Sequence, residues 1–150
     1  MRTVRRALAL PAVDRWLAIE ALLCLAVSRC VLGLLPFRIG MRGLGLRFQA
    51  GLDDADAVVE PVAPPETVLA VGLAVSRASA VAPFRAVCLQ QALAAALMLR
   101  RRGRPAEVYF GLAKDAGGNL IAHAWSKCGG VLVTGGQQMQ RYVPVSVFVT

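Results

Sequence analysis

The chain is poor in lysine, histidine and late acidic residues. Lys114 and Lys127 are its only lysines, His123 is its only histidine, and no Asp or Glu follows Asp115. Any imidazole chemistry must therefore run through His123. The four cysteines, Cys24, Cys30, Cys88 and Cys128, form no CxxC pair and show no metal-ligand spacing, so no metal or cofactor is expected. No secretory signal is evident, which points to reduced thiols and a cytoplasmic location. Aromatic residues do not interleave with the arginines as a single-strand binder would need, and nucleic acid is not an expected partner. An uninterrupted membrane-length apolar run is missing too. Glu20 and Arg29 break the stretch from Trp16 to Leu35, and Gly33 and Pro36 end it. That stretch reads as a buried or interfacial helix, leaving peripheral membrane contact through residues 14–36 open.

What is present is apolar surface and arginine. Hydrophobic residues make up 57% of the 150, and the net charge is +8. The length suits one domain with an appended helical element. The arginines fall in separate groups at Arg2, Arg5 and Arg6, at Arg38, Arg42 and Arg47, and at Arg100, Arg101, Arg102 and Arg104. Such a balance favours anionic partners, and the excess apolar surface suggests a protein or membrane contact.

Helices come first and strands last, which is α+β. Asp14 can cap a helix running to about Gly33. The stretch from Phe37 to Gln49 is helical or irregular, with Gly40, Gly43 and Gly45 against helix. "GLDDADAVVEPVAPP" reads as a linker, dividing the chain into a docking segment at 1–50, a linker at 51–66 and a core at 67–150. Glu66 and Thr67 open a helix that Pro83 stops. Another runs from about Cys88 to Arg102, closed by Gly103 and Pro105. "AEVYFGLAK", "LIAHAWSK", "VLVT" and "RYVPVSVFVT" read as strands of an antiparallel meander, with "GGQQMQ" as a loop and Pro144 placing the last strand at an edge.

Cys88 opens its helix. Backbone N–H groups at such a position favour a thiolate and can donate to an oxyanion on a bound acyl group. The alternative is a small core residue. Ile121, His123 and Trp125 share one strand face, and Leu89, Leu93 and Leu97 can pack the helix on such a sheet. The pattern permits His123 to reach Cys88 as general base without requiring it.

"AVCLQQALAAALMLRRRGRPAEVYFGLAKD" followed by "AHAWSKCGGVLVTGG" closely resembles the lasso peptide biosynthesis B2 proteins, small transglutaminase-like cysteine peptidases that remove the leader of a precursor peptide. The likeness extends upstream to "DRWLAIEALLCLAVSRCVLGLLPFR". It implies a papain- or transglutaminase-like core with Cys88 as nucleophile and His123 as base. It also implies three partners: the precursor with its leader, a separate leader-recognition protein and a lasso cyclase.

The family usually holds its histidine with an aspartate on the following strand, and this chain has none. A hairpin loop at Cys128–Gly129 sets His123 against Thr134, whose hydroxyl would accept from Nδ1–H; Gln137 is the other candidate. A loop at Gly129–Gly130 sets His123 against Gly136 instead. Gln91 (or Gln90) and Trp125 are candidate oxyanion or substrate contacts, weighed against exposed helix surface and core packing. Two other functions compete with the peptidase. One is an inactive scaffold for precursor and cyclase; the other is a thiol-dependent acyltransferase with an amine acceptor.

Overall fold

The computed structural model describes residues 12–50 and 65–150. Helix α1 (Ala12–Leu34) is followed by short α2 (Phe37–Gly43), strand β1 (Arg47–Gln49), α3 (Pro65–Val81) and α4 (Cys88–Arg100). Then come β2 (Glu107–Lys114), β3 (Leu120–Cys128), β4 (Val131–Thr134), a 3-10 turn (Gly136–Arg141) and β5 (Val143–Val149). The strands form one antiparallel sheet in the order β1-β5-β2-β3-β4. The fold is α+β, as the order of patterns implied. Most of the expected linker lies outside the described residues, and its last two positions, Pro65 and Glu66, already belong to α3.

Helix α4 is the hub. It touches α1 and α3 on one side and β2, β3 and β4 on the other. Alanine supplies the close approach, since Ala92, Ala94, Ala95 and Ala96 are fully buried around Leu93 and Leu99. A helix this short of bulk can be covered on nearly every side. Each buried leucine contributes roughly 1.5–3 kcal/mol relative to exposure. The helix ends where Gly103 N–H bonds the Arg100 carbonyl and Arg104 N–H bonds that of Leu99, so the freed carbonyls find donors.

Residues 12–49 are part of this core, not an appendage. Ala21, Cys24 and Leu25 of α1 and Met41, Leu44 and Leu46 join the same buried cluster as α4. Glu20 takes two bonds from Arg102, at 2.6 and 3.0 Å, which explains how a carboxylate sits in an apolar helix. The outer face of α1 is apolar as well, with Trp16, Ile19, Leu23 and Val27 exposed. By length and hydropathy the stretch Asp14–Leu34 is sufficient to cross a membrane.

Three local expectations need correction. The stretch after α2 contributes β1, a strand made by pairing with Val147–Val149 rather than by its own pattern. Strand β5 is interior, between β1 and β2. Pro144 is tolerated there because β1 pairs only with the far end of β5, leaving Pro144 without a neighbour on that side. Finally, "GGQQMQ" is a 3-10 turn rather than an open loop.

Candidate active site

Cys88 is the first residue of α4 and half-buried. Its N-cap is Val87, which has no side-chain acceptor, so no side chain caps the first turn. Gln90 reaches back to accept the Val87 N–H at 3.2 Å, and Gln91 donates Nε2–H to the Ala86 carbonyl at 2.9 Å. Both bonds fix the chain entering the helix. The first-turn N–H groups themselves have no intrahelical partner. Gln90 is buried by this role rather than exposed.

His123 stands where β3 has lost its outer neighbour. Strand β4 pairs with Ser126, Lys127 and Cys128 only, so upstream of Ser126 the strand edge is open. The chain after β4 crosses that opening, and the Gly135 carbonyl lies 2.8 Å from His123 Nε2. A carbonyl only accepts, so Nε2 carries a proton, and in the neutral ring Nδ1 keeps its lone pair. Gly135 holds this path with φ of +79°, and a Cβ would strike the Ala124 carbonyl and Trp125.

One cavity of about 690 Å³ opens along this edge, lined by Cys88, His123, Gln91 and the segment from Leu132 to Gln137. Gly72 and Ser76 of α3 close the opposite wall. Thiol and imidazole thus border the same space. They are not hydrogen-bonded to each other; catalytic contacts of this kind often tighten only when substrate is bound. Among the described residues no group of three or more His, Cys, Asp or Glu gathers to hold a metal ion.

Thr134 does not hold the imidazole. A register shift between Ser126 and Lys127 sets Thr134 opposite Ser126, and their buried hydroxyls bond at 2.8 Å. The loop is Gly129–Gly130, yet the shift carries the pairing one step past the predicted partner. The third position is filled by a backbone carbonyl, on Nε2 rather than Nδ1. Gln137 borders the cavity without bonding the ring.

Trp125 is a core residue. It is stacked on Tyr109 at 5.6 Å and packed with Val147 on the sheet face away from α4, whereas Ala124 and Cys128 face the helix. His123 follows Trp125 onto that far face, 5.0 Å from the Tyr142 ring centre. The shared face of Ile121, His123 and Trp125 is therefore not the one on which the helix leucines pack. His123 meets the cavity around the strand edge instead. The Trp125 indole N–H is buried and has no acceptor among the described residues.

Cys128 is buried, and loss of hydration pushes its thiol pKa up. Asp115 serves its turn, accepting from Gly117 and Asn119 N–H at 2.9 Å, and those bonds hold its carboxyl below the usual range. It takes no part in the cavity.

Comparison with curated proteins gave no match, and comparison with solved structures gave none. The model of the transglutaminase-like superfamily matches residues 31–147, a span that includes Cys88, His123, strands β1 to β4 and most of β5. A helix opened by cysteine, laid on an antiparallel sheet whose histidine borders the same cavity, accords with that match: the chain belongs to the transglutaminase-like superfamily.

Proposed function

We propose that the protein is a cysteine peptidase that removes the leader from a ribosomally made lasso precursor peptide. One observation carries the reading: Cys88, the first residue of its helix, and His123, with Nε2 against the Gly135 carbonyl, border one cavity. The resemblance to B2 proteins supplies the substrate class.

His123 Nδ1 takes the Cys88 proton as Sγ attacks the carbonyl carbon of the last leader residue. The oxyanion meets the N–H groups of the first turn of α4. His123 returns the proton to the leaving amine, which departs as the core peptide. The leader remains as a thioester on Sγ. Water then loses a proton to Nδ1, attacks the thioester, and releases the leader as a free acid with the thiol restored.

A neutral carbonyl stabilises imidazolium less than a carboxylate does. That observation favours a second reading, a weakly active or inactive scaffold for precursor and cyclase. The recognition protein and cyclase remain proposed partners, and the exposed stripe of α1 is the proposed docking face. The decisive experiment mixes precursor, recognition protein and this chain, then follows the products by mass spectrometry. A leader fragment ending in a free acid, absent with Cys88→Ala, supports the peptidase. Binding without cleavage supports the scaffold. Conjugation of the leader to an added amine would identify an acyltransferase.

A further inference from the structure

The opposite edge of the sheet carries a larger cavity, of about 1240 Å³, bounded by α2, β1, the end of α4 and the end of β5. Arg38, Arg42, Arg47 and Arg100 line it, with no Asp or Glu among the described lining residues. Glu20 pairs with Arg101 and Arg102, outside this cavity. None of the four lining arginines has a carboxylate partner among the described residues. Clustered like charge in a concave site raises the local potential and draws in counter-charge.

The site is built rather than incidental. Arg100 Nη1 donates to the Leu44 carbonyl at 2.7 Å, and its guanidinium lies across Gly45, where a Cβ would collide with it. Phe48 and Phe148 meet edge to face at 5.6 Å and give the cavity an apolar wall. Phe48 is 63% exposed. Among the described residues strand β1 ends the sheet, so its outer edge has no strand partner there.

Arginines, an aromatic wall and an open strand edge together suit an extended peptide with acidic and apolar side chains. A free phosphate would leave the wall and the edge unused. Helix α4 fixes the spacing between the two sites, because Cys88 is its first residue and Arg100 its last. Twelve steps of about 1.5 Å separate them by about 18 Å. An extended chain covers that in about six residues.

We propose that this cavity is an exosite for an acidic, partly apolar segment of the peptide substrate, about six or more residues from the bond cut at Cys88. The inference rests on the peptide-cleaving reading, so binding and cleavage are measured separately. Full-length Cys88→Ala protein is titrated against a fluorescein-labelled peptide alternating Glu and Leu, followed by anisotropy. The Gln–Leu counterpart is the control.

The Glu peptide should bind at least about tenfold more tightly than its control, and Arg42→Glu with Arg47→Glu should remove about the same factor. Arg42→Gln with Arg47→Gln should fall between. With Cys88 restored, the charge-reversed protein should raise KM for precursor while kcat stays unchanged. Arginine-dependent binding with no cleavage by any form would sink the peptidase and keep the acidic-peptide site. Cleavage with unchanged KM and arginine-independent binding would sink the exosite alone. Displacement by inorganic tripolyphosphate as readily as by unlabelled peptide would also overturn it, as would preference for anionic vesicles over the peptide.

Discussion

His123 and Gly135 form the contact on which the candidate site turns: a ring nitrogen 2.8 Å from a backbone carbonyl, twelve residues apart in sequence. The carbonyl decides which nitrogen is protonated, and the positive φ of Gly135 decides where the carbonyl lies. Gly135→Ala should therefore injure chemistry and stability together. An L residue at this φ costs about 1–2 kcal/mol, and the new methyl has no room beside Trp125. We expect cleavage to fall at least about tenfold beyond any loss explained by unfolding, read as kcat at a temperature where circular dichroism shows the variant folded.

The four thiols should divide by burial. Cys24 and Cys128 are buried, Cys30 is exposed and Cys88 is half-buried at the cavity. Burial also pushes the Cys24 and Cys128 thiols up, away from the reactive thiolate. Native protein treated with iodoacetamide should gain adducts at Cys30 and Cys88 and keep the other two free; denatured protein should be alkylated at all four. Cys30→Ser then leaves Cys88 as the sole native site. Peptide mapping reads the result, and prompt native modification of Cys128 would contradict the packing described.

Long periodic segments were legible in the sequence; the meeting of Cys88 and His123 at one cavity was permitted by the pattern, not required by it. Helix α4 shows itself through its leucine spacing and its Gly103 stop; the β2–β3 hairpin shows itself through β-rich runs around the Asp115 turn. Three features were not legible. Strand β1 is three residues long and exists because Val147–Val149 lies beside it. The partner of His123 is a main-chain atom, which side-chain identity cannot reveal, although consecutive glycines at 135 and 136 marked an unusual backbone. Thr134 was misplaced because a one-residue register shift at Ser126 is invisible in a pattern of alternating residues. Alternation also leaves open which face of β3 the helix covers: it covers that of Ala124 and Cys128, not that of Trp125.

Two helical glycines should respond to alanine with opposite signs. At Gly33 in α1 an added methyl would meet nothing within 4 Å, so Gly33→Ala should stabilise by about 0.5–1 kcal/mol through lost unfolded-state freedom. At Gly72 in α3 the methyl would run into the Val133 carbonyl of β4. The helix must then move off the strand, and Gly72→Ala should destabilise despite the better propensity of alanine. Because Gly72 also borders the candidate cavity, that variant should lose cleavage as well. Urea midpoints of the two variants test the contrast, and two shifts of the same sign would refute the close approach.

Acid should weaken the tie between α1 and the end of α4. Arg102 bonds both oxygens of Glu20, and these bonds hold the Glu20 carboxyl below the ordinary glutamate range despite partial burial. A carboxyl depressed in the folded state binds protons more readily once unfolded. Its stabilisation is therefore complete above the unfolded value of about 4.3 and disappears as pH falls through the lower folded value. Glu20→Gln cannot titrate and loses the charged pair at every pH, at a cost of about 1 kcal/mol near neutrality. For a chain of this size that is roughly 2–4 °C in Tm. Wild type and variant should differ by that amount at pH 7 and converge as the pH is lowered below about 4, followed by thermal melts in matched salt. A gap that stayed constant down to the acid limit would show that Glu20 acts through packing rather than through its charge.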